Sequence, residues 1–504
     1  MSDTLTIASV QLRKNRRPAT QALIASPSVL AGVATATLAL VVYVATMAPD
    51  LYSLDSPELA AAAYRLGIAH PPGYPLYTLV GWLFSHAFPI GNVAFRMNLL
   101  SALFGTAACA LVYALALRLT TRPLVAAAGT LALAFSYYFW ADALAAEVYT
   151  LDAALFAGTL LAAYAWREQP SLRRAAIVGV VLGLGLATRT TTLLYVPAVA
   201  LFVWTAGERS PRAYAAASAG LLSMLLLYAY LPIRSAIGVD VGPGTYGNDG
   251  VLHVWNLASV GGFWRHISAS AFQSEAFAYG PIGMLRESGT FAGRLAGSFL
   301  FVGIPFGIAG IVRQWRSDRG LLLLIAGTAA PVTLFFINYG ALDKEFMFLP
   351  AYVAWAFWLV VGVDWAIEAS APDAGWLVGA AALALPVAAF AVNLPLVSLH
   401  NERGVRDDSE RFLAAAPQGA IVYGSFLDLA PLQYLQEVEG ARPDLRLVNS
   451  WTVDDAFLLR LAATNVGETP LYITRDEPVL HAHYQIVPVA NGAKGFEVRV
   501  AKKG

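Results

Sequence analysis

Cysteine is almost missing from this chain: Cys109 is the single one in 504 residues. It lies in an apolar run, which excludes an internal disulfide and any cysteine-based metal site. Charge is scarce too, at 13% of residues, where an ordinary soluble domain carries about a quarter. The 33 basic and 33 acidic residues balance, so no net field points to nucleic acid. There is no internal repeat, no low-complexity tract beyond alanine richness, and no glycine-rich phosphate fingerprint. What remains is apolar, with 58% hydrophobic residues and a mean hydropathy of +0.58. Twelve tryptophans suit interfacial belts. This is the composition of a polytopic membrane protein, mainly α-helical.

Crossing the hydrocarbon as a helix takes about 20 apolar residues. Eleven segments qualify: 29–48, 95–117, 123–140, 150–166, 175–188, 191–206, 213–233, 292–312, 320–337, 347–366 and 375–397. A further segment, Leu76 to Phe88, is apolar but short, opening after Pro75 and closing at Pro89. The positive-inside bias assigns it. If it lies along the interface, Arg118 and Arg122, Arg167, Arg173 and Arg174, Arg209 and Arg212, and Arg313, Arg316 and Arg319 all share the cytoplasmic side. Arg13, Lys14, Arg16 and Arg17 ahead of the first span join them, and that span reads as a retained helix, longer than a cleaved signal core. If Leu76 to Phe88 crossed, the later clusters would face outward.

The non-crossing arrangement gives about eleven transmembrane helices, a cytoplasmic tail over 1–28 and a transmembrane domain over 29–397. Its first outer loop is 49–94 and its large outer loop 234–291. Residues 398–504 change character, with short β-type runs such as AIVYGSF and LRLVN alternating with a helical stretch. They predict a small α/β domain outside the membrane.

On the outer side lies LDSPELAAAAYRLGIAHPPG, Leu54 to Gly73. Asp55 and Glu58 fit a capping box ahead of an alanine-rich helix, with Pro57 in its first turn. Asp55 equally fits a general base at a membrane surface beside a helix N-terminus. Both readings stand on chemistry alone. His70-Pro71-Pro72-Gly73 makes a rigid turn, and rigidity is what holds a base in reach of its proton. His70, and Tyr74 after the turn, are expected to bind substrate.

Glu147 and Tyr149 sit where the third span returns as the fourth, on the same face. Arg189, in LATRTTTLLY, interrupts apolar sequence; a cation there calls for a phosphate or carboxylate partner. Arg234, in YLPIR, could serve likewise, and Lys344 stands between Asp343 and Glu345 as a substrate contact or a local surface ion pair. An outer-face site with acids and fixed cations suits a lipid phosphate better than a cytoplasmic nucleotide donor. Phosphate leaves without a proton, so one base suffices, unlike glycoside hydrolysis with its carboxyl pair.

The run DSPELAAAAYRLGIAHPPGYPLYTLVGWLF, followed by GNVAFRMNLLSALFGTAACALVYALALRL, resembles a group long filed as a membrane domain of unknown function, whose eukaryotic members are transmembrane protein O-mannosyltransferases. AEVYTLDA and YLPIRS are similar to the later motifs, and the tail resembles that of bacterial members; the C-terminal repeat domain of the eukaryotic proteins has no counterpart in this sequence. The resemblance implies a GT-C type fold and an inverting, metal-independent glycosyltransferase. It further implies a polyprenyl-phosphate sugar donor, no cofactor, a protein or glycan acceptor, and residence in a bacterial inner membrane. Asp55 becomes the base with Glu58 and His70 in the same loop, and Arg96 matches a position where related enzymes keep a basic residue. The Arg189 assignment rests on its chemistry. A transporter or flippase of a lipid-linked or anionic solute is the alternative, favoured by broken apolar segments and disfavoured by acids that lie outside the membrane midplane. A non-catalytic scaffold is the third reading.

Overall fold

The computed structural model describes residues 26–206, 210–237, 245–246, 252–253, 256–341, 343–371, 373–489 and 493–500. Nearly all of the expected tail 1–28, Arg209 and part of the loop 234–291 lie outside the described residues. The first half runs α1 (Pro27–Thr46), α2 (Ser56–Arg65), α3 (Pro75–Ala87), α4 (Val93–Leu119), α5 (Pro123–Ala134), α6 (Tyr137–Asp142), α7 (Tyr149–Glu168), α8 (Leu172–Thr188), α9 (Val196–Ala206), α10 (Pro211–Leu225) and α11 (Tyr230–Ala236). A two-stranded ribbon, β1 (Thr245–Tyr246) and β2 (Leu252–His253), precedes α12 (Val260–Ile267), α13 (Pro281–Ser298), α14 (Gly303–Ser317), α15 (Arg319–Ile337), α16 (Leu349–Ala369) and α17 (Gly375–Val397).

The protein is a mainly helical, multi-pass membrane protein, and among the described residues fewer helices than the eleven expected segments are by themselves long and apolar enough to cross. Six helices among the described residues are long and apolar enough to cross: α1, α4, α10 continued through α11, α15, the Lys344–Ala369 segment that ends in α16, and α17. A bent pair, α13 and α14, makes a possible seventh. The shortfall has physical causes. α5 and α9 are apolar but have only 12 and 11 residues, and α7 carries Asp152, Arg167 and Glu168. The predicted span 292–312 is broken, α13 meeting α14 at 103°, where Leu300 and Phe301 adopt positive φ. The segment read as interfacial forms α3, whose 13 residues are too few to cross.

Glycine sets how closely the helices approach, as packing without a hydrophobic drive between helices demands. A Cβ on Gly179 of α8 would overlap the carbonyl oxygen of Ala217 in α10, and one on Gly220 that of Ala176. Gly310 and Gly362 play the same part between α14 and α16, against the carbonyls of Trp358 and Phe306. α1 and α17 end on one face of the bundle, where Leu399 N donates to Thr46 O over 2.8 Å.

Beyond that junction α18 (Gly404–Ala415), β3 (Ile421–Gly424), α19 (Phe426–Glu439), β4 (Arg446–Asn449), α20 (Asp455–Asn465), β5 (Leu471–Ile473), β6 (Tyr484–Pro488) and β7 (Phe496–Val500) form the small α/β domain. Its sheet has the order β4-β3-β5-β7-β6. β3 is parallel to β4 and β5, while β7 is antiparallel to β5 and β6. The domain rests on the first loop. Arg65 pairs with Glu437 at 2.9 Å, Arg406 with Asp50 at 3.2 Å, and Tyr434 Oη accepts from Ala94 N at 2.9 Å.

Close glycine contacts predict a clear contrast. Gly310→Ala and Gly179→Ala force helices apart and should each cost about 1–3 kcal/mol, read as a lowered melting temperature in detergent. Gly379→Ala, where an added Cβ meets nothing within 4 Å, should leave the melt unchanged or raise it slightly.

Candidate functional site

α2 opens two residues after Leu54, whose φ of 60° turns the chain out of the first span and into the loop. Asp55 occupies the N-cap position, yet its side chain makes no capping hydrogen bond. Glu58 does not complete a capping box either. Its Oε1 accepts from His70 N at 2.6 Å, and its Oε2 meets His70 Nδ1 at 2.6 Å. The HPPG turn therefore serves to return His70 onto Glu58. Gly73 ends it at a φ of 93°, and a Cβ there would lie 2.9 Å from His266 Nε2. Glycine is required at that position on both counts.

The other ring nitrogen of His70 is shared. Tyr74 Oη lies 2.9 Å from Nε2, and Asp55 Oδ2 lies 3.6 Å from it. The two acids thus differ in surroundings: the Glu58 side chain is 3% exposed and doubly bonded, whereas the Asp55 side chain is 24% exposed. Burial raises the Asp55 carboxyl to about 6, the His70 charge opposing this and the Asp343 and Glu58 charges adding to it. Burial by itself would lower His70, but the Glu58 and Asp55 charges and the Glu58 hydrogen bond carry it up to about 9. Near neutral pH the site holds an imidazolium between two carboxylates, and Asp55 is the one open to solvent.

These groups line one cavity of about 750 Å³. Of the residues expected from sequence, Asp55, Glu58, His70, Tyr74, Tyr149 and Arg189 are in its wall. The Arg189 guanidinium lies over the Tyr149 and Phe336 rings, 4.7 and 5.3 Å from their centroids. Its ion pair with Asp152 spans 3.9 Å, beyond hydrogen-bond reach, and the residue itself lines the cavity.

The remaining four are elsewhere. Arg96 donates to the carbonyls of Ser85, Ile90 and Gly91, closing the end of α3. Arg234 donates to those of Leu66 and Arg65, closing the end of α2. Glu147 is buried outside the cavity wall, and burial followed by the Asp55 and Asp142 charges drives its carboxyl well upward. Lys344 is buried and pairs with Glu287 at 2.8 Å, so its partner is α13 and not the adjacent acids at the surface.

Sequence reasoning also passed over several wall residues. Asp343 accepts from Tyr149 Oη at 2.7 Å; His266, Phe426 and Trp451 complete the wall from distant segments. Two polar residues of α4 hold the loops that carry the acids. Asn98 Nδ2 donates to the carbonyls of Ala48 and Asp50, and its Oδ1 accepts from Ala146 N. Ser101 Oγ accepts from Glu147 N. Among the described residues no group of three or more His, Cys, Asp or Glu side chains is arranged to hold a metal ion.

The raised His70 value has a thermodynamic consequence. A folded-state pKa near 9 against an unfolded one near 6.5 stabilises the fold fully below pH 6.5, and this is lost as pH rises through 9. Wild type should therefore lose more melting temperature between pH 7 and 9.5 than Glu58→Gln, in which the imidazolium has lost its partner. Parallel pH dependences in the two proteins would show that the pair is not coupled to folding.

Comparisons with known proteins agree with this architecture. Residues 55–211 match the family model described as the Protein O-mannosyl-transferase TMEM260 N-terminal domain. The chain is 28% identical over 468 residues to the mouse Protein O-mannosyl-transferase TMEM260, covering 85% of this chain and 63% of the mouse protein. It thus spans less than two thirds of that relative. A Dictyostelium discoideum protein of the same name is 37% identical over 75 residues, 14% of this chain and 9% of its own. Among solved structures, ArnT from Cupriavidus metallidurans bound to undecaprenyl phosphate superposes with a TM-score of 0.57 at 14% identity, covering 92% of this chain and 97% of ArnT. The archaeal oligosaccharyltransferase AglB from Archaeoglobus fulgidus, in complex with an inhibitory peptide and a dolichol-phosphate, gives 0.54 at 11% identity, covering 94% and 74%. The fold is of the GT-C type expected from sequence.

Proposed function

We propose that this relative of the TMEM260 proteins is an inverting glycosyltransferase that moves a mannose-like sugar from a polyprenyl-phosphate donor to a hydroxyl of a protein or glycan acceptor. The observation that carries the reading is the shared cavity: the part-exposed Asp55 carboxylate, the His70–Glu58 pair and Arg189 line the same space of about 750 Å³. Asp55 takes the proton of the acceptor hydroxyl. The freed oxygen attacks the anomeric carbon opposite the phosphate, and the bond to the phosphate breaks with its electron pair leaving on the phosphate. Arg189 meets that charge, the cation most open to it. Arg96 and Arg234 are spent on backbone carbonyls, so the phosphate role falls to Arg189.

His70 is a positioning residue in this scheme. Its positive charge, fixed by Glu58, keeps Asp55 ionised near neutral pH and sets the carboxylate against the cavity. The basic clusters on the inner loops support an orientation with the site and the C-terminal domain on the outer face of a bacterial inner membrane. The donor class is carried over from ArnT and AglB, which were solved with polyprenyl phosphates.

Asp55→Asn should lower transfer from polyprenyl-phosphate mannose by about a thousandfold with an unchanged melt; full activity in that variant ends the reading. The wild-type rate should rise as pH passes about 6, where Asp55 loses its proton, and fall beyond about 9, where His70 loses its own. Arg189→Ala should raise the donor KM at least about tenfold, with Arg189→Lys recovering part of the loss; equal KM values in all three proteins remove Arg189 from donor binding.

A further inference from the structure

Phe426 and Trp451 reach the catalytic cavity from the small domain, and no step above uses them. Their position follows from the sheet. β3 passes through α19 to β4 on one side, and β4 returns through α20 to β5 on the other. The strand order therefore reverses at β3, and open parallel sheets bind ligands outside the carboxyl ends of their strands at such a point. Here that edge is turned toward Asp55 and His70. β3 ends at Gly424, where a Cβ would overlap the Thr474 side chain, and Phe426 is the first residue of α19. β4 ends at Asn449, whose Oδ1 accepts from Trp451 N at 3.0 Å. That bond sets a short helical turn and sends the indole outward.

The two rings are unlike in exposure. Phe426 is 6% exposed and Trp451 55%. Their centroids are 5.6 Å apart at 32°, and Phe426 lies 6.0 Å from the His70 ring. A buried ring thus braces an open indole one residue away from the histidine that sets the base. An indole at the mouth of a wet cavity fits a ligand with one apolar face and a hydroxylated rim. Gln273, Glu275 and Asp343 in the same wall offer hydrogen bonds to such a rim.

We infer that the loops at the carboxyl ends of β3 and β4 form a saccharide subsite, in which Trp451, braced by Phe426, stacks on the C–H face of a hexopyranose ring. The inference deepens the transferase reading and rests on it for the sugar class. The pyranose belongs either to the donor or to a glycan on the acceptor. In both cases the small domain completes the site.

Binding can be tested without turnover. Saturation-transfer NMR on the full chain in detergent, with methyl α-mannopyranoside as probe, should show transfer to the sugar ring for wild type and for Trp451→Phe. Trp451→Ala and Trp451→Gln should lose about fivefold to tenfold in affinity, with unchanged melting as expected for a half-exposed side chain. Loss of the signal on adding polyprenyl-phosphate mannose assigns the ring to the donor sugar; persistence assigns it to the acceptor. Equal signals in wild type and both truncations, or none in wild type, overturn the subsite. Mannoside binding that depends on Trp451 in a chain that transfers no sugar overturns the transferase reading and leaves the subsite standing.

Discussion

A charged imidazole taken out of water costs several kcal/mol unless an opposite charge and hydrogen bonds meet it. His70 is met on both counts by Glu58, which accepts from its backbone N and faces its Nδ1, each at 2.6 Å. The loop between them, from the last turn of α2 through the HPPG turn, is shaped by that double contact. Breaking it would leave a buried charge without a partner, the costly side of such a pair. The arrangement also separates two carboxylates that look equivalent three residues apart. Glu58 is consumed in holding the histidine, while Asp55 keeps only a 3.6 Å approach to it and an open face. Environment, and not residue type, divides the labour between them.

The same economy applies to the backbone. Loops at the ends of membrane helices leave carbonyls and amides that must find partners. Arg96 and Arg234 each close the end of a short helix of the first loop, and Asn98 joins the exit of α1 to the approach of α7, beside the Ala48 N to Leu144 O bond. Side chains that look functional by charge are in these cases the reason that the loop has one shape. The site's rigidity is therefore assembled from α4 outward, and the cavity inherits it.

Several of these features are legible in the residue string and others are not. The acids, the proline turn and Arg189 announce themselves because each interrupts apolar sequence with chemistry that needs a partner. The α/β tail shows in its alternating runs, and α3 in the prolines at its ends. The break between α13 and α14 is hard to read, because the residues bent into positive φ are Leu300 and Phe301, while Gly297 and Gly303 only flank them. A hydropathy window counts apolar residues and not helical continuity, which is why eleven segments read as spans where six or seven are long enough. Asp343 and Trp451 could not be assigned for a different reason: they join the site only through tertiary contact from segments far along the chain. For Arg96 and Arg234 the charge was readable but not its target, since a guanidinium fork binds carbonyls as readily as phosphate.

The small domain changes what the cavity can be. Phe426 and Trp451 bring the small domain into the wall of the cavity that holds Asp55. Burial in that cavity raises the Asp55 carboxyl to about 6. The anchoring contacts are ionic and placed on the first loop itself: Arg65 with Glu437 and Arg406 with Asp50. The part-exposed Arg65 pair contributes little, whereas Asp50 is buried under Arg406; the packing of α19 on α2 and the buried Tyr434 hydrogen bond to α4 add to that anchor. Because that packing falls on the helix carrying Asp55 and Glu58, any ligand that shifts the domain also shifts the base. The small domain and the acids of the first loop thus meet through one short helix, because α19 packs on α2.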